Sequence, residues 1–202
     1  MKNIYLVRHG ETVWNKEKRN QGRSDSPLTD FGKFQAKTLG EKLKEVELDF
    51  GISSPLGRTI STMEIICENK NIPLSTDDRI LELDFGPWEG KSKAEISDKV
   101  QSHNFRHKSH EFSVDGVETF DSLIKRTHEF MKELIQKDFK NALIVTHSIP
   151  IRSLLMIWDG RVLENFWSGT SPFPGSVSKV HFVDDNYLNG EIILYADLEY
   201  LI

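Results

Sequence analysis

The stretch NIYLVRHGETVWN, residues 3–15, joins a buried strand to a polar turn. Its four consecutive apolar residues, 4–7, are typical of a strand that is covered on both faces of a sheet. Arg8 and His9 follow directly, and Gly10 gives the chain room to turn close to a ligand. This pattern indicates functional side chains on a rigid scaffold, although a surface turn with the same residues is an equal alternative at this point.

A second apolar run ends in a similar way. The residues NALIVTH, 141–147, predict a buried strand whose last residue is His147. Ligands of open α/β sheets bind at the carboxyl ends of the strands, and both His9 and His147 fall at such an end. Alone, His147 would be interpreted as a structural histidine, but its position favours a site shared with Arg8 and His9.

Strands and helices alternate along the chain. Strands are predicted over 2–8, 49–54, 141–147, 176–183 and 190–198, and residues 79–86 are predicted to be extended. Helices are predicted over 30–46 with Thr29 as N-cap, over 54–69 with Ser54 as N-cap and Pro55 at the first position, over 120–135, and over 150–158. The first of these helices rests on apolar residues at helical spacing: Phe31, Phe34, Leu39, Leu43 and Val46. The alternation predicts an α/β fold, a three-layer sandwich whose mostly parallel central sheet is flanked by helices.

Length and composition limit the classes of protein. The chain has 202 residues and 38% hydrophobic residues, which predicts one domain over 1–202, with about 92–139 as a cap-like insertion because residues 98–116 are polar. A net charge of -5 disfavours a general nucleic-acid binder. The first apolar run is too short for a signal peptide and no run approaches a membrane span, so we expect a cytoplasmic protein without membrane contact.

Arg58 is placed unusually for a helical cation. It lies in the predicted first turn after Pro55, where a positive charge opposes the helix dipole by about 0.3–1 kcal/mol. The same helix end attracts anions, and a guanidinium binds two phosphoryl oxygens at once. An ion pair with an acidic neighbour is the alternative. Two arginines beside two histidines, His9 and His147, indicate an anion site rather than a metal site.

Glu82 is the candidate acid. In an extended segment it would share a face with Asp84, and its proximity to Phe85 and Trp88 would desolvate the carboxyl group. Desolvation raises the pKa of a carboxyl group and suits a proton donor near neutral pH. A solvated strand face is the alternative, and Asp84 and Glu89 are the rival carboxylates.

Five blocks in register extend these observations into a resemblance. The segments LVRHGETVWN, QGRSDSPLTDFGKFQA, SSPLGRTISTMEI, LELDFGPWEG and ALIVTHSIPIR resemble the histidine phosphatase superfamily, in its phosphoglycerate-mutase-like branch. They are spread from about residue 3 to residue 155. A single Arg-His-Gly would be a weak signal, whereas five ordered blocks are a specific one.

The resemblance implies a role for each matching residue. His9 would be the nucleophile that becomes phosphorylated, while Arg8, Arg58 and a protonated His147 would bind the phosphoryl oxygens. Glu82 would protonate the leaving group and then activate water. The positions that would line the phosphate or substrate pocket are Asn15, Gln21 and Gly22. Ser148 stands where relatives often carry glycine, and its backbone N–H would remain available to the substrate.

Neither a metal nor another cofactor is expected in this mechanism. The histidines His103, His107 and His110 raise the possibility of a metal site, but their spacing is more typical of a solvated cap face.

Three functions remain open at this point. A phosphatase that acts on a small phosphorylated metabolite is favoured, because the chain and its insertion are short for a mutase of this branch. A cofactor-dependent phosphoglycerate mutase and a non-catalytic phospholigand-binding regulator are the alternatives. Residues 105–108, FRHK, could offer positive charge to a second anionic group of the substrate, or could form a solvated loop. The substrate itself stays open.

Overall fold

A six-stranded sheet forms the centre of the molecule. The computed structural model describes residues 1–201. The strands are β1 (Lys2–Arg8), β2 (Phe50–Ser53), β3 (Leu74–Thr76), β4 (Asn141–Thr146), β5 (Val177–Phe182) and β6 (Glu191–Asp197), in the order β3-β2-β4-β1-β5-β6. The first four run parallel to one another, and β5 and β6 pair antiparallel. The predicted mostly parallel sheet is therefore confirmed. β3 was not predicted, since its three side chains are exposed and show no apolar signal.

Helices cover both faces of this sheet. They are α1 (Val13–Lys16), α2 (Asp30–Lys42), α3 (Gly57–Ile66), α4 (Lys99–His107), α5 (Phe120–Leu134) and α6 (Ser148–Asp159). Side chains alternate across the sheet: Ile4 and Leu6 of β1 share a core cluster with residues of α5 and α6, and Tyr5 and Val7 share the other cluster with residues of α2 and α3. The three-layer sandwich is confirmed. No helix among residues 1–201 combines the length and the apolar character that a membrane span requires.

The buried face of α2 differs from the predicted one. Thr29 caps the helix as expected, with its hydroxyl accepting from the Gly32 N–H at 3.0 Å. Phe31 and Phe34, however, are 50% and 51% exposed, and the helix ends at Lys42. The reason is the chain that follows β1: a Cβ at Gly32 would lie 2.1 Å from the Glu11 carbonyl oxygen, so only the glycine face can approach it.

Two further predictions about local structure are wrong. Ser54 does not cap α3, which begins at Gly57 after Leu56 and has no side-chain cap. The extended conformation predicted over 79–86 is wrong at both ends, because residues 79–80 and 86 belong to the short 3-10 helices Asp78–Ile80 and Gly86–Trp88. The residues between these helices join no strand of the sheet. In this segment, side chains bond the carbonyl groups that a β-strand would pair with a neighbouring strand.

The segment predicted as an insertion, about 92–139, divides into two parts. α4 and the 3-10 turn Ser109–Glu111 pack on a third apolar cluster, in which Phe105 and Phe112 meet Trp88 and Phe120. α5 belongs to the helical layer on the main sheet, where its apolar stripe is buried. The part with a cap-like character is thus the part around α4.

Candidate active site

Neighbouring strands place the two histidines side by side. Arg8 and Thr146 pair at the ends of β1 and β4, so the next residues, His9 and His147, leave the sheet together. The His9 N–H donates to the Thr146 carbonyl oxygen at 3.0 Å, which extends the ladder by one residue. The two ring centroids lie 5.2 Å apart, and the side chains are almost completely buried.

A third parallel strand adds Ser54, which was predicted as a helix N-cap and not as a site residue. Ser54 follows β2, and its N–H donates to the Val145 carbonyl oxygen at 3.0 Å. Its hydroxyl lies 2.8 Å from Nε2 of His147. The sequence places Ser54 at the end of a predicted strand, as it places His9 and His147, and this position could have indicated a site residue. The pair Ser54-Pro55 is also typical of a helix start, and that interpretation was preferred.

The hydrogen bond of His9 determines its tautomer. Nδ1 lies 2.8 Å from the Gly10 carbonyl oxygen, which can only accept, so Nδ1 carries the proton and Nε2 carries the lone pair. Burial lowers the pKa of His9 well below its ordinary value, and the charges of Arg58 and Arg8 lower it further. His9 is therefore neutral at physiological pH, as a nucleophile must be.

His147 is also neutral in the protein alone. Burial lowers its pKa well below the ordinary value, with Arg58, His9 and Arg8 adding to the effect. The expectation of a protonated His147 is thus not met without an anion, because nothing at the site compensates a buried imidazolium. A phosphoryl dianion would raise the pKa again. Nδ1 has no partner among residues 1–201, and it carries a proton for a ligand in the tautomer in which the Ser54 hydroxyl donates to Nε2.

Arg8 and Arg58 remain cationic, and only some of their N–H groups have hydrogen-bond partners. Burial lowers the pKa of Arg8 to about 10, and the guanidinium donates to the Pro172 carbonyl oxygen at 2.8 Å. Arg58 is buried; Nη2 donates to the Gly22 carbonyl oxygen at 2.7 Å, and Nη1 pairs with Asp25 Oδ1 at 3.0 Å. The ion pair considered as an alternative for Arg58 therefore exists beside its position at the site.

Several buried polar nitrogen atoms in and around these residues have no hydrogen-bond partner within residues 1–201. They are Arg8 Nε, Arg58 Nε, His147 Nδ1, Asn20 Nδ2 and Gln21 Nε2. The amide oxygen of Gln21 accepts from the Thr12 hydroxyl at 2.7 Å, and its NH₂ group has no acceptor among residues 1–201. An unsatisfied buried donor costs about 1–3 kcal/mol, so a cluster of them indicates a ligand rich in acceptor oxygens.

Glu82 is the buried carboxyl group of the site. Its two oxygens lie 2.9 Å from the Leu83 N–H and 3.4 Å from the Ile149 N–H. Burial raises its pKa, and these N–H groups together with Arg58 and Arg8 offset part of the rise. Glu82 therefore keeps its proton to higher pH than an exposed glutamate, as a general acid requires.

The two rival carboxylates have structural roles. Asp84 accepts from the Gly86 N–H at 2.8 Å, within its own turn. Glu89 accepts from the backbone N–H groups of residues 22, 23 and 24, at 3.2, 2.8 and 3.3 Å. Glu89 thus shapes the loop whose carbonyl oxygens bind Arg58, and Glu82 is the carboxylate that borders the cavity.

A cavity of about 200 Å³ opens over Arg8, His9 and Glu82. Of the predicted substrate-binding residues, Asn15, Gln21 and Ser148 line it, and Ser148 begins α6. Gly22 does not line it; a Cβ there would lie 2.2 Å from the Leu83 carbonyl oxygen, so the glycine allows two segments to touch. The remaining lining residues are Arg19, Asn20, Phe85, Phe105, Arg106, Ile149, Trp167, Ser171 and Phe173.

The cap contributes only two of its four predicted residues. Phe105 and Arg106 line the cavity, whereas Lys108 pairs with Glu111 and His107 stacks on His103. Trp167 and Phe173, which sequence reasoning missed, come from the loops after α6, and no periodicity or motif marks them. Among residues 1–201 no three His, Cys, Asp or Glu side chains are grouped to hold a metal ion, which includes the exposed histidines of the cap.

A larger cavity of about 440 Å³ also borders Arg58. Its lining includes Asp25, Lys33, Ser61 and Ile65 but neither histidine. The smaller cavity is lined by His9, Glu82 and three of the residues with unsatisfied polar atoms, Arg8, Asn20 and Gln21, so we place the chemistry there. Arg58 and His147 are not among its lining residues.

Comparisons with known proteins show which family the chain resembles in sequence and in fold. The model of the histidine phosphatase superfamily, branch 1, matches residues 4–189. The phosphoserine phosphatase 1 of Hydrogenobacter thermophilus is 36% identical over 172 residues, 83% of this chain and 81% of the relative. A probable phosphoglycerate mutase, GpmB, of Salmonella choleraesuis is 34% identical over 77% of this chain and 74% of its own length. Among solved structures, YhfR of Bacillus stearothermophilus matches with a TM-score of 0.94 and 31% identity, over 100% of both chains.

Proposed function

Because the chain belongs to the histidine phosphatase superfamily, we propose that it hydrolyses small phosphomonoesters through a phosphohistidine on His9. The observation that carries this proposal is the tautomer of His9. Its Nδ1–H is held by the Gly10 carbonyl oxygen, so the free lone pair is on Nε2, inside a cavity whose buried donors lack partners. A nucleophile and an oxyanion site thus occur together.

In the first step, Nε2 of His9 attacks phosphorus in line with the ester oxygen. The N–P bond forms, the P–O bond to the leaving group breaks, and Glu82 gives its proton to the departing oxygen. Arg8, Arg58 and His147 donate to the three equatorial oxygens, where the charge lies in the transition state. The alcohol leaves with the proton of Glu82.

In the second step, the ionised Glu82 accepts a proton from water. The resulting hydroxide attacks phosphorus, the N–P bond breaks, and inorganic phosphate leaves. His9 recovers its lone pair and Glu82 its proton, so the cycle closes without a net change in the protein.

The cavity favours a small substrate with a second negative charge. Its volume of about 200 Å³ suits a metabolite. Arg106 lies at its border, 4.1 Å from the centroid of the Trp167 ring, and forms no ion pair among residues 1–201. A carboxylate on the leaving group would complement this cation. Phosphoserine, the substrate in the name of one relative, combines both features and is the first substrate to test.

The test is a turnover assay with phosphoserine, 3-phosphoglycerate and p-nitrophenyl phosphate. We expect free phosphate and an acid-labile phosphate trapped on His9 after rapid quenching. His9→Ala should abolish both, while the exposed His103→Ala serves as the control and should keep wild-type rates.

Three results would overturn the proposal. Turnover by His9→Ala would exclude the phosphohistidine. Transfer of phosphate between 2- and 3-phosphoglycerate in place of its release would identify a mutase. Thermal stabilisation by inorganic phosphate without turnover of any ester would identify a phospholigand-binding regulator.

A further inference from the structure

The segment that carries Glu82 is held by side chains rather than by a β-ladder. It lies between the 3-10 helices Asp78–Ile80 and Gly86–Trp88. The carbonyl oxygens of four successive residues, 79–82, each accept a side-chain hydrogen bond. The Thr146 hydroxyl donates to the Ile80 carbonyl oxygen, which connects the segment to the end of β4, directly before His147. The other three are taken by a single residue.

That residue is Arg126 in α5. Nη1 donates to the carbonyl oxygens of Arg79 at 2.8 Å and Leu81 at 2.6 Å, and Nη2 donates to that of Glu82 at 3.1 Å. The remaining donors bind Glu118, from Nε at 2.7 Å and from Nη2 at 2.8 Å. All five N–H groups of the guanidinium are therefore in use. A lysine, with three donors on one nitrogen, could not reproduce this geometry.

Glu118 extends the same network on the far side of Glu82. Its Oε2 accepts from the Asp84 N–H at 3.2 Å and lies 3.6 Å from Nη2 of Arg23. The side chains of Arg126 and Glu118 are only 15% and 10% exposed, so solvent screens the pair little. Residues on both sides of Glu82 are thus bonded to one buried ion pair, while the carboxyl group itself accepts only from the backbone N–H groups of Leu83 and Ile149.

We propose that Arg126, oriented by Glu118, is a positioning residue that holds Glu82 within proton-transfer distance of the leaving oxygen. This rests on the proposed function of Glu82 as general acid. Arg126 contacts the backbone of residues 79, 81 and 82 and does not line the cavity, and its charge also contributes to lowering the pKa of His147. The backbone contact acts on Glu82, whereas the charge acts on a residue that would bind the phosphoryl group of either ester. A displacement of about 1 Å in a catalytic group can cost on the order of 10²-fold in rate.

The experiment compares two esters of nearly the same shape, phenyl phosphate and p-nitrophenyl phosphate. Phenolate is a basic leaving group and needs a proton in the transition state, whereas p-nitrophenolate leaves without one. Loss of a positioned acid therefore lowers kcat/KM for phenyl phosphate selectively. A general loss of folded protein lowers kcat/KM for both esters equally and leaves their ratio unchanged.

Glu82→Gln sets the size of the selective loss. We expect Arg126→Met to lower kcat/KM for phenyl phosphate by roughly 10- to 100-fold, and for p-nitrophenyl phosphate by less than about threefold. Arg126→Met added to Glu82→Gln should change the ratio no further. Glu133→Gln is the matched control, because it removes another ion pair between α5 and Arg79 without touching residues 81 or 82.

Glu118→Gln provides a second variant in case Arg126→Met does not fold. It retains the volume of the side chain but places an amide donor against donors, and we expect the same selective loss at smaller amplitude. Equal losses for both esters in the folded variants, or losses that add to those of Glu82→Gln, would overturn the positioning role of Arg126 and leave the acid role of Glu82 in place. An unchanged ratio in Glu82→Gln itself would overturn the acid assignment of the proposed function and, with it, the positioning role.

Discussion

The histidine pair and the acid-bearing segment are held in two different ways. His9 and His147 leave adjacent parallel strands at the same register, so the backbone ladder alone brings them together. Glu82 lies on an irregular segment whose carbonyl groups bind the side chains of Thr146 and Arg126. Backbone register is robust to most substitutions, whereas a side-chain network depends on residues that are distant in sequence and outside the cavity.

Arg58 spans both regions, so its removal should have the largest effect. Its charge lowers the pKa of His9 and of His147, and it offsets part of the rise in the pKa of Glu82. Arg58→Lys retains a charge but not the planar fork, and we expect kcat/KM to fall on the order of 10³-fold. Arg79→Lys, at a partly exposed ion pair, should change the rate little. Comparable losses in both variants would mean that Arg58 acts through stability alone.

Glu82→Gln tests the acid-bearing segment directly. General acid catalysis contributes about 10²–10⁴-fold, so a loss of that size is expected for an ester with a basic leaving group. Burial raises the pKa of Glu82, and the protonated form is the active one. Wild-type kcat/KM should therefore persist above the ordinary pKa of a glutamate and fall as the pH rises through the raised value.

The pH profile of the variant separates the two regions. Glu82→Gln should lose this alkaline decline, whereas Arg58→Lys should keep it. On the acid side, the pKa of His9 lies well below its ordinary value. Neither the wild type nor Glu82→Gln should therefore lose activity as the pH falls through the ordinary histidine range. An acid limb near the ordinary pKa of histidine would contradict the neutral, buried nucleophile.

Ser54→Ala tests the histidine pair with a smaller change. Removing the hydroxyl that lies 2.8 Å from Nε2 of His147 frees the tautomer of that ring. The net value of such a hydrogen bond, about 1 kcal/mol, corresponds to a loss of roughly 5- to 10-fold in kcat/KM. Ser53→Ala is the matched control: Ser53 is the preceding buried serine of β2, and its hydroxyl shows no hydrogen bond among residues 1–201. Equal effects would assign the loss to packing.

The smallest expected effect concerns metals. In the proposed mechanism, Arg8, Arg58 and a His147 that the bound phosphoryl group keeps protonated would supply the charge that a metal ion supplies in many phosphoryl-transfer sites. Incubation with EDTA should therefore leave the rate of phosphate release unchanged. Strong inhibition, reversed by a divalent cation, would contradict the mechanism proposed for both regions.

The strand-end residues could be predicted from the sequence because their signal is local. Continuous apolar runs that end in Arg8-His9 and in His147 identify buried parallel strands, and the carboxyl ends of such strands meet at one edge. Glu82 was also found, through its apolar neighbours. The segment around it, predicted to be extended, has 3-10 helices at both ends, and apolar alternation does not reveal that side chains bond the carbonyl groups of 79–82.

Other residues could be placed only by the tertiary structure. The sequence predicts Ser54 only as a helix N-cap, and Arg126 only as one residue of the helix over 120–135. Trp167 and Phe173 come from loops without periodicity, yet they border the same cavity as His9. Their roles depend on contacts between segments that are far apart in the chain, and a single sequence carries no local signal for such contacts.

The sequence by itself determined the α/β class, the two histidine-bearing strand ends and the family, because apolar periodicity and short motifs are properties of neighbouring residues. The tertiary structure decided the tautomer of His9, the neutral state of His147 and the side-chain bonds around Glu82. The physical reason is burial: pKa values and hydrogen-bond partners depend on which groups exclude water from one another, and only the folded chain defines those groups.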